Sequence, residues 1–225
     1  IGLVAGVHQG VLTDVIATGT VVPTISILEG SGLGGIAGQA SNSRIRHAHF
    51  SGTIQPGVML PGIGGIAGHA EISSIEEVSS SGTLAAVYQV GGILGSADTV
   101  TLRHAWSTAN VRSILSDPFG TGGLVGYLFR SKLEESAFAG SITNASRAGG
   151  IAGSSVESWI ADCLYSGRVE TRGTVGGVAS HADNSTLLRC LVDGVLAGNF
   201  RTGPIFASTF TTNTVDAAFW SCRRA

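Results

Sequence analysis

The chain has 225 residues, of which 43% are hydrophobic, 12% charged and 34 are glycine. So much apolar surface with so little charge argues against a disordered chain, and five prolines without a G-X-Y period exclude collagen. The net charge is −2 and the 13 Lys and Arg residues are scattered, which leaves no basic footprint for nucleic acid or an anionic membrane.

Taken in chain order, one short pattern keeps returning. GLVAG opens at Gly2, and GGIAG follows at Gly34–Gly38 and Gly64–Gly68. GGILG begins at Gly91, GGLVG at Gly122, GGIAG again at Gly149, GGVAS at Gly176 and GPIFA at Gly203. With the second position of each seed as origin, the copies stand at Gly2, Gly35, Gly65, Gly92, Gly123, Gly150, Gly177 and Pro204, at spacings of 33, 30, 27, 31, 27, 27 and 27. The base period is therefore 27 residues, with additions in three repeats at about 22–33, 55–63 and 112–121.

Three aliphatic columns emerge on that origin. One residue after it stand Leu3, Ile36, Ile66, Ile93, Leu124, Ile151, Val178 and Ile205. Ten after it stand Leu12, Ile45, Ile75, Leu102, Leu133, Ile160 and Leu187, with Val215 displaced by one. Nineteen after it stand Val21, Ile54, Leu84, Val111, Ile142, Val169 and Leu196, preceded by a glycine column at Gly19, Gly52, Gly82, Gly140, Gly167 and Gly194, with Ala109 in the fourth copy. A lone unit of this length cannot bury three short strands, but stacked units can, each strand pairing with its equivalents above and below at about 4.8 Å. The expected fold is all-β: a parallel β-solenoid of about eight rungs, three short strands per rung. It spans residues 1–225 as a single domain, with rungs starting near 1, 34, 64, 91, 122, 149, 176 and 203, and glycines at its corners. Lys132–Ala139 and Ser185–Leu196 also read as amphipathic helices, but both fall on strand columns and are expected to be strands.

The seed, followed by an aliphatic, a small residue, an aromatic, Ser/Ala-Gly and a second aliphatic, resembles the GLUG motif; Ile151-Ala152-Gly153, Ile160, Cys163, Tyr165-Ser166-Gly167 and Val169 carry it best. The resemblance implies a segment of a bacterial exported or surface protein, of adhesin type or from the non-catalytic part of an immunoglobulin A peptidase. The protein would then be secreted or sit on the cell surface. Its partners would be a host-surface glycan or protein; since the final Trp220–Ala225 forms no obvious cap, the chain is expected to be an excised fragment or to have its ends covered by other segments or chains. The family has no catalytic residues to carry over.

Several polar columns carry candidate chemistry. Arg46, Glu76, Arg103 and Glu134 stand eleven after the origin, and Asp14, His47, Glu77, His104, Glu135, Asp162 and Arg189 twelve after it. Signs alternate up the stack, so a ladder of ion pairs is expected; a metal site of His47, Glu77, His104 and Glu135 is the competing reading, disfavoured because a line of ligands does not converge. The pairs Glu76-Glu77 and Glu134-Glu135 keep a β-helix carbohydrate-active enzyme as the alternative function. Gly30 to Gly35 matches G-x-G-x-x-G, but no helix is expected after it, so dinucleotide binding is rejected. Ser43, Ser73, Ser131, Ser158 and Ser185 form a column read as a hydroxyl ladder at a corner. Cys163 and Cys190 share a column on adjacent rungs and are expected to be buried free thiols, with a disulfide as the other possibility. Asn144 and Asn184 head sequons read as chance. No catalytic residue, cofactor, metal, nucleic-acid partner or membrane span is assigned. The three additions project from one edge, the place where a solenoid often binds.

Overall fold

The computed structural model describes residues 1–22, 32–55, 61–114, 119–209, 212–216, 218–220 and 223–224. All of their regular structure is strand, and no helix long and apolar enough to cross a membrane occurs among them. Lys132–Glu134, Ala137–Phe138, Thr186–Leu188 and Leu191–Val192 are strands, so stacking overrides the helical pattern of those segments. The added segments fall largely outside the described residues, as do Gly30, Ser31, Cys222 and most of the C-terminal tail.

Every strand pairing among them is parallel and joins one turn to the next about 27 residues on, as in Lys132 with Trp159 and Trp159 with Thr186. The strands form two sheets that run the length of the coil. A long one carries the body of each turn, and a seven-stranded one, from Leu33–Gly34 to Arg201–Gly203, carries the approach to each seed.

All three aliphatic columns face inward. Ile36, Ile66, Ile93, Leu124, Ile151 and Val178 are fully buried, as are Ile45 to Leu187 in the second column, and the third is nearly so from Val21 to Leu196. Each such side chain contributes about 1.5–3 kcal/mol on burial. The rung count is lower than expected: about six turns are complete, against eight. The reason is geometric. A turn closes its core only with a neighbour on both sides, and Ala5–Val21 and the last level each have one. Leu3 is 42% and Ile205 9% exposed, although the column mates between them are at zero.

Two further corrections concern the corners. A turn such as residues 152–176 contains five short strands, Ala152–Val156, Trp159–Ala161, Leu164–Tyr165, Arg168–Thr171 and Thr174–Gly176, not three. Two of its four breaks, at Glu157 and Asp162, fall where the backbone turns left-handed, and those residues are not glycine. Asn42, Ile72, Thr99, Arg130, Glu157 and Asn184 form one such column, and Asp14, His47, Glu77, His104, Glu135, Asp162 and Arg189 the other, with φ between 45° and 57°. Of the expected corner glycines only Gly19 and Gly82 have positive φ. That column answers to stacking instead: a Cβ on Gly52 would lie 2.0 Å from the Gly19 carbonyl oxygen.

Many of the left-handed corners are held from inside. After the first, Ser73, Ser131, Ser158 and Ser185 each donate to the carbonyl two residues back, at 2.7, 2.6, 2.7 and 3.0 Å. Their hydroxyls also accept main-chain N–H groups of the turn before: Ser43 to Ser73, Ser131 to Ser158, and Ser158 to Ser185. After the second corner Ser136, Cys163 and Cys190 take the same place, donating to Glu134, Ala161 and Leu188 carbonyls. The serine column is thus a hydroxyl ladder at a corner, and the two cysteines are free and buried. Cys163 is pushed well above the usual thiol range by its hydrogen bond with Cys190 and by burial.

Candidate functional site

The outward side chains inherit the period of the core, so polar groups of like position stack as well. At the second corner the left-handed residue points its side chain to solvent. His47 Nδ1 lies 3.2 Å from Asp14 Oδ1 below it, and its Nε2 lies 2.8 Å from Glu77 Oε2 above. His104 pairs likewise with Glu135, and Arg189 with Asp162 at 2.5 Å. One residue earlier, Arg46 and Arg103 face Glu76 and Glu134 at 3.2 and 3.3 Å. The Arg46 and Arg103 Nε atoms have these carboxylates within ion-pair distance but out of line for a hydrogen bond, so those contacts are coulombic. The Arg189 hydrogen bond holds the Asp162 carboxyl below the usual carboxylate range. Exposed pairs stabilise weakly; what they add is a penalty on any slip of one turn past the next.

This arrangement is a line. Among the described residues no three His, Cys, Asp or Glu side chains surround a common point, and His47 and His104 sit two turns apart with Glu77 between them. Glu76 and Glu77 are taken by Arg46 and His47 of the turn before, and Glu134 and Glu135 by Arg103 and His104. Both carboxylate pairs are thus engaged in ion pairs from turn to turn.

The structure adds a polar feature that column reading misses, a set of His–Ser contacts between turns. His69 Nδ1 lies 2.8 Å from Ser96 Oγ, His49 Nδ1 2.8 Å from Ser79 Oγ, and His181 Nδ1 3.4 Å from Ser208 Oγ. Burial holds His69 below the ordinary imidazole range, against the opposing pull of Glu71 and Asp98. His181 is lowered by burial and by Arg147, with Asp183 opposing. The signal was present in the sequence, since each serine stands 27 or 30 residues after its histidine.

His69, Ser96, Tyr127, Ser154, His181 and Ser208 share one column, four residues after the origin, beside the seam where the short sheet meets the long one. Tyr127 is raised above the ordinary phenol range, by burial first and then by Asp98, Glu157 and Asp183. At the middle turns the end of the third addition reaches this seam. The Phe119 carbonyl accepts the Ser154 hydroxyl, and the Phe119 ring meets Tyr127 edge-on at 5.8 Å.

The family model described as the GLUG motif matches residues 29–55. No curated protein matches the chain in sequence. Among solved structures the chain is similar to the crystal structure of a "putative immunoglobulin A1 protease" from Bacteroides ovatus, with a TM-score of 0.58 and 15% identity, over 94% of this chain and 67% of that one. At such low identity the likeness concerns the fold alone. The chain is a parallel β-solenoid, and its residues 29–55 match the model of the GLUG motif.

Proposed function

We propose that the chain is a structural and adhesive segment of a bacterial protein that is secreted or held at the cell surface, displaying loops to a host-surface glycan or protein. The observation that carries this reading is the unbroken parallel register from turn to turn. Such a stack holds outward side chains at intervals of about 4.8 Å, which suits a long, repetitive binding surface better than a pocket. The three additions occur at one phase of the repeat.

A direct test coats beads with the chain and measures adherence to host cells. The reading expects adherence that falls at least tenfold when all three additions are cut back to the 27-residue base period, with far-ultraviolet circular dichroism unchanged. Adherence unaffected by that trimming, or none with the intact chain, would overturn it.

The likeness to the Bacteroides ovatus protein supports a second reading, in which the solenoid is the non-catalytic repeat region of a secreted peptidase. That version expects no peptide hydrolysis by this chain alone.

A further inference from the structure

The seam between the two sheets is closed by a glycine three residues after the origin: Gly38, Gly68, Gly95, Gly126 and Gly153 in successive turns. A Cβ on Gly153 would lie 2.5 Å from the Gly120 carbonyl carbon and 2.6 Å from the Thr121 nitrogen, and one on Gly126 would lie 2.5 Å from the Gln89 carbonyl carbon. Backbone meets backbone there. The last two turns depart from the rule, with Ser180 and Ala207 at this position. Side chains now occupy the place where the backbones touched, and Ser180 Oγ reaches back to the Gly153 carbonyl at 2.9 Å. At these turns the seam opens into a groove of about 500 Å3, within the size range of small-molecule sites.

The groove walls have a definite chemistry. Arg147, Thr174 and Arg201 are in register on one side, which sets the arginines two turns apart with a hydroxyl between them. Ser208 and Thr209 line the same groove. Phe200, beside Arg201, is 74% exposed, and the Arg201 guanidinium lies 5.5 Å from the centre of its ring. Arg147 and Asp183 both act on His181. Arg201 has no carboxylate partner among the described residues, so the unbalanced positive charge is there.

On the groove wall the N–H groups of Thr174 and Phe200 are already bonded to the Ser146 and Gly173 carbonyls. Recognition falls to side chains: a planar guanidinium shaped for a carboxylate, a flat exposed ring, and hydroxyls.

We propose that this groove binds an acidic saccharide, with the carboxylate of a uronate-type residue on Arg201, the apolar face of its ring on Phe200, and its hydroxyls toward Thr174, Ser208 and Thr209. The proposal goes beyond the adhesive reading: it adds a separate site on the C-terminal turns, away from the three additions.

Calorimetric titration of the full chain with an oligogalacturonate trimer, against neutral maltotriose, tests it. The acidic trimer should bind and the neutral one should not. Arg201→Gln should weaken binding at least tenfold and Phe200→Ala several-fold, with unchanged circular dichroism. No binding of the acidic trimer, equal binding of both sugars, or an Arg201→Gln variant that binds like the parent would overturn the assignment. Bead adherence that survives Arg201→Gln would leave the adhesive reading standing even if the trimer failed to bind.

Discussion

Gly150 and Tyr165 occupy what is nearly one volume. A Cβ on Gly150 would lie 2.6 Å from the Tyr165 ring, which is fully buried and sends its hydroxyl to the Val195 carbonyl at 2.8 Å. The second seed glycine is thus the space into which the motif's aromatic packs; Gly35 with Phe50 and Gly123 with Phe138 repeat the relation. Gly150→Ala should destabilise by about 1–3 kcal/mol through overpacking, read from the urea midpoint. Adding Tyr165→Ala should not restore stability, because the Gly177 carbonyl oxygen would remain 2.3 Å from the new methyl.

The corner ladder makes a second prediction. Ser158→Ala removes the acceptor for the buried Ser131 N–H and the donor to the Val156 carbonyl. Leaving buried polar groups unpaired costs about 1–3 kcal/mol, so the same unfolding assay should show a loss of that size. A change under 0.5 kcal/mol would mean that the ladder is incidental.

These two relations also mark what was legible in the sequence. The aliphatic columns could be read because Ile, Leu and Val repeat at a fixed phase and all end inside. The corners were legible only in part, through their serine column. Their left-handed positions hold Glu135, Asp162 and Arg189 as readily as Asn42 or Ile72, where a buried hydroxyl or thiol on the next residue secures the turn; Asp14, His47 and Glu77 precede Val15, Ala48 and Val78 instead. The inner column of Phe50, Ser80, Ser107, Phe138, Tyr165 and Val192 mixes large and small residues and so hid its common burial. Ser180 and Ala207 were visible only as departures from the seed; that they sit beside an opened groove depends on the short sheet, which no column announced.

Acid should weaken the fold through His69. Burial lowers its folded pKa below the unfolded value, so the unfolded chain takes up the proton first. The associated stability is complete above about pH 6.5 and is lost as pH falls from there toward the folded pKa. His69→Gln, which can keep a hydrogen bond to Ser96, should lose less stability than the parent between pH 7 and pH 5. An equal loss in both proteins would remove His69 from the account.

The buried thiols give a readout of opening. In a Cys222→Ser background, Cys163 and Cys190 should resist iodoacetamide in buffer and react only as urea unfolds the chain, since both are buried and the Cys163 thiol is held protonated. Rapid alkylation of the native protein would show that this corner is not closed.

Coaxial, in-register stacking is the central claim, and a distance measurement reaches it most directly. Spin labels at Arg44 and Thr186, in the same outward column five turns apart, should give a single double electron–electron resonance peak at roughly 24 Å, five strand spacings of about 4.8 Å. A broad distribution, or a peak beyond about 40 Å, would contradict the stack.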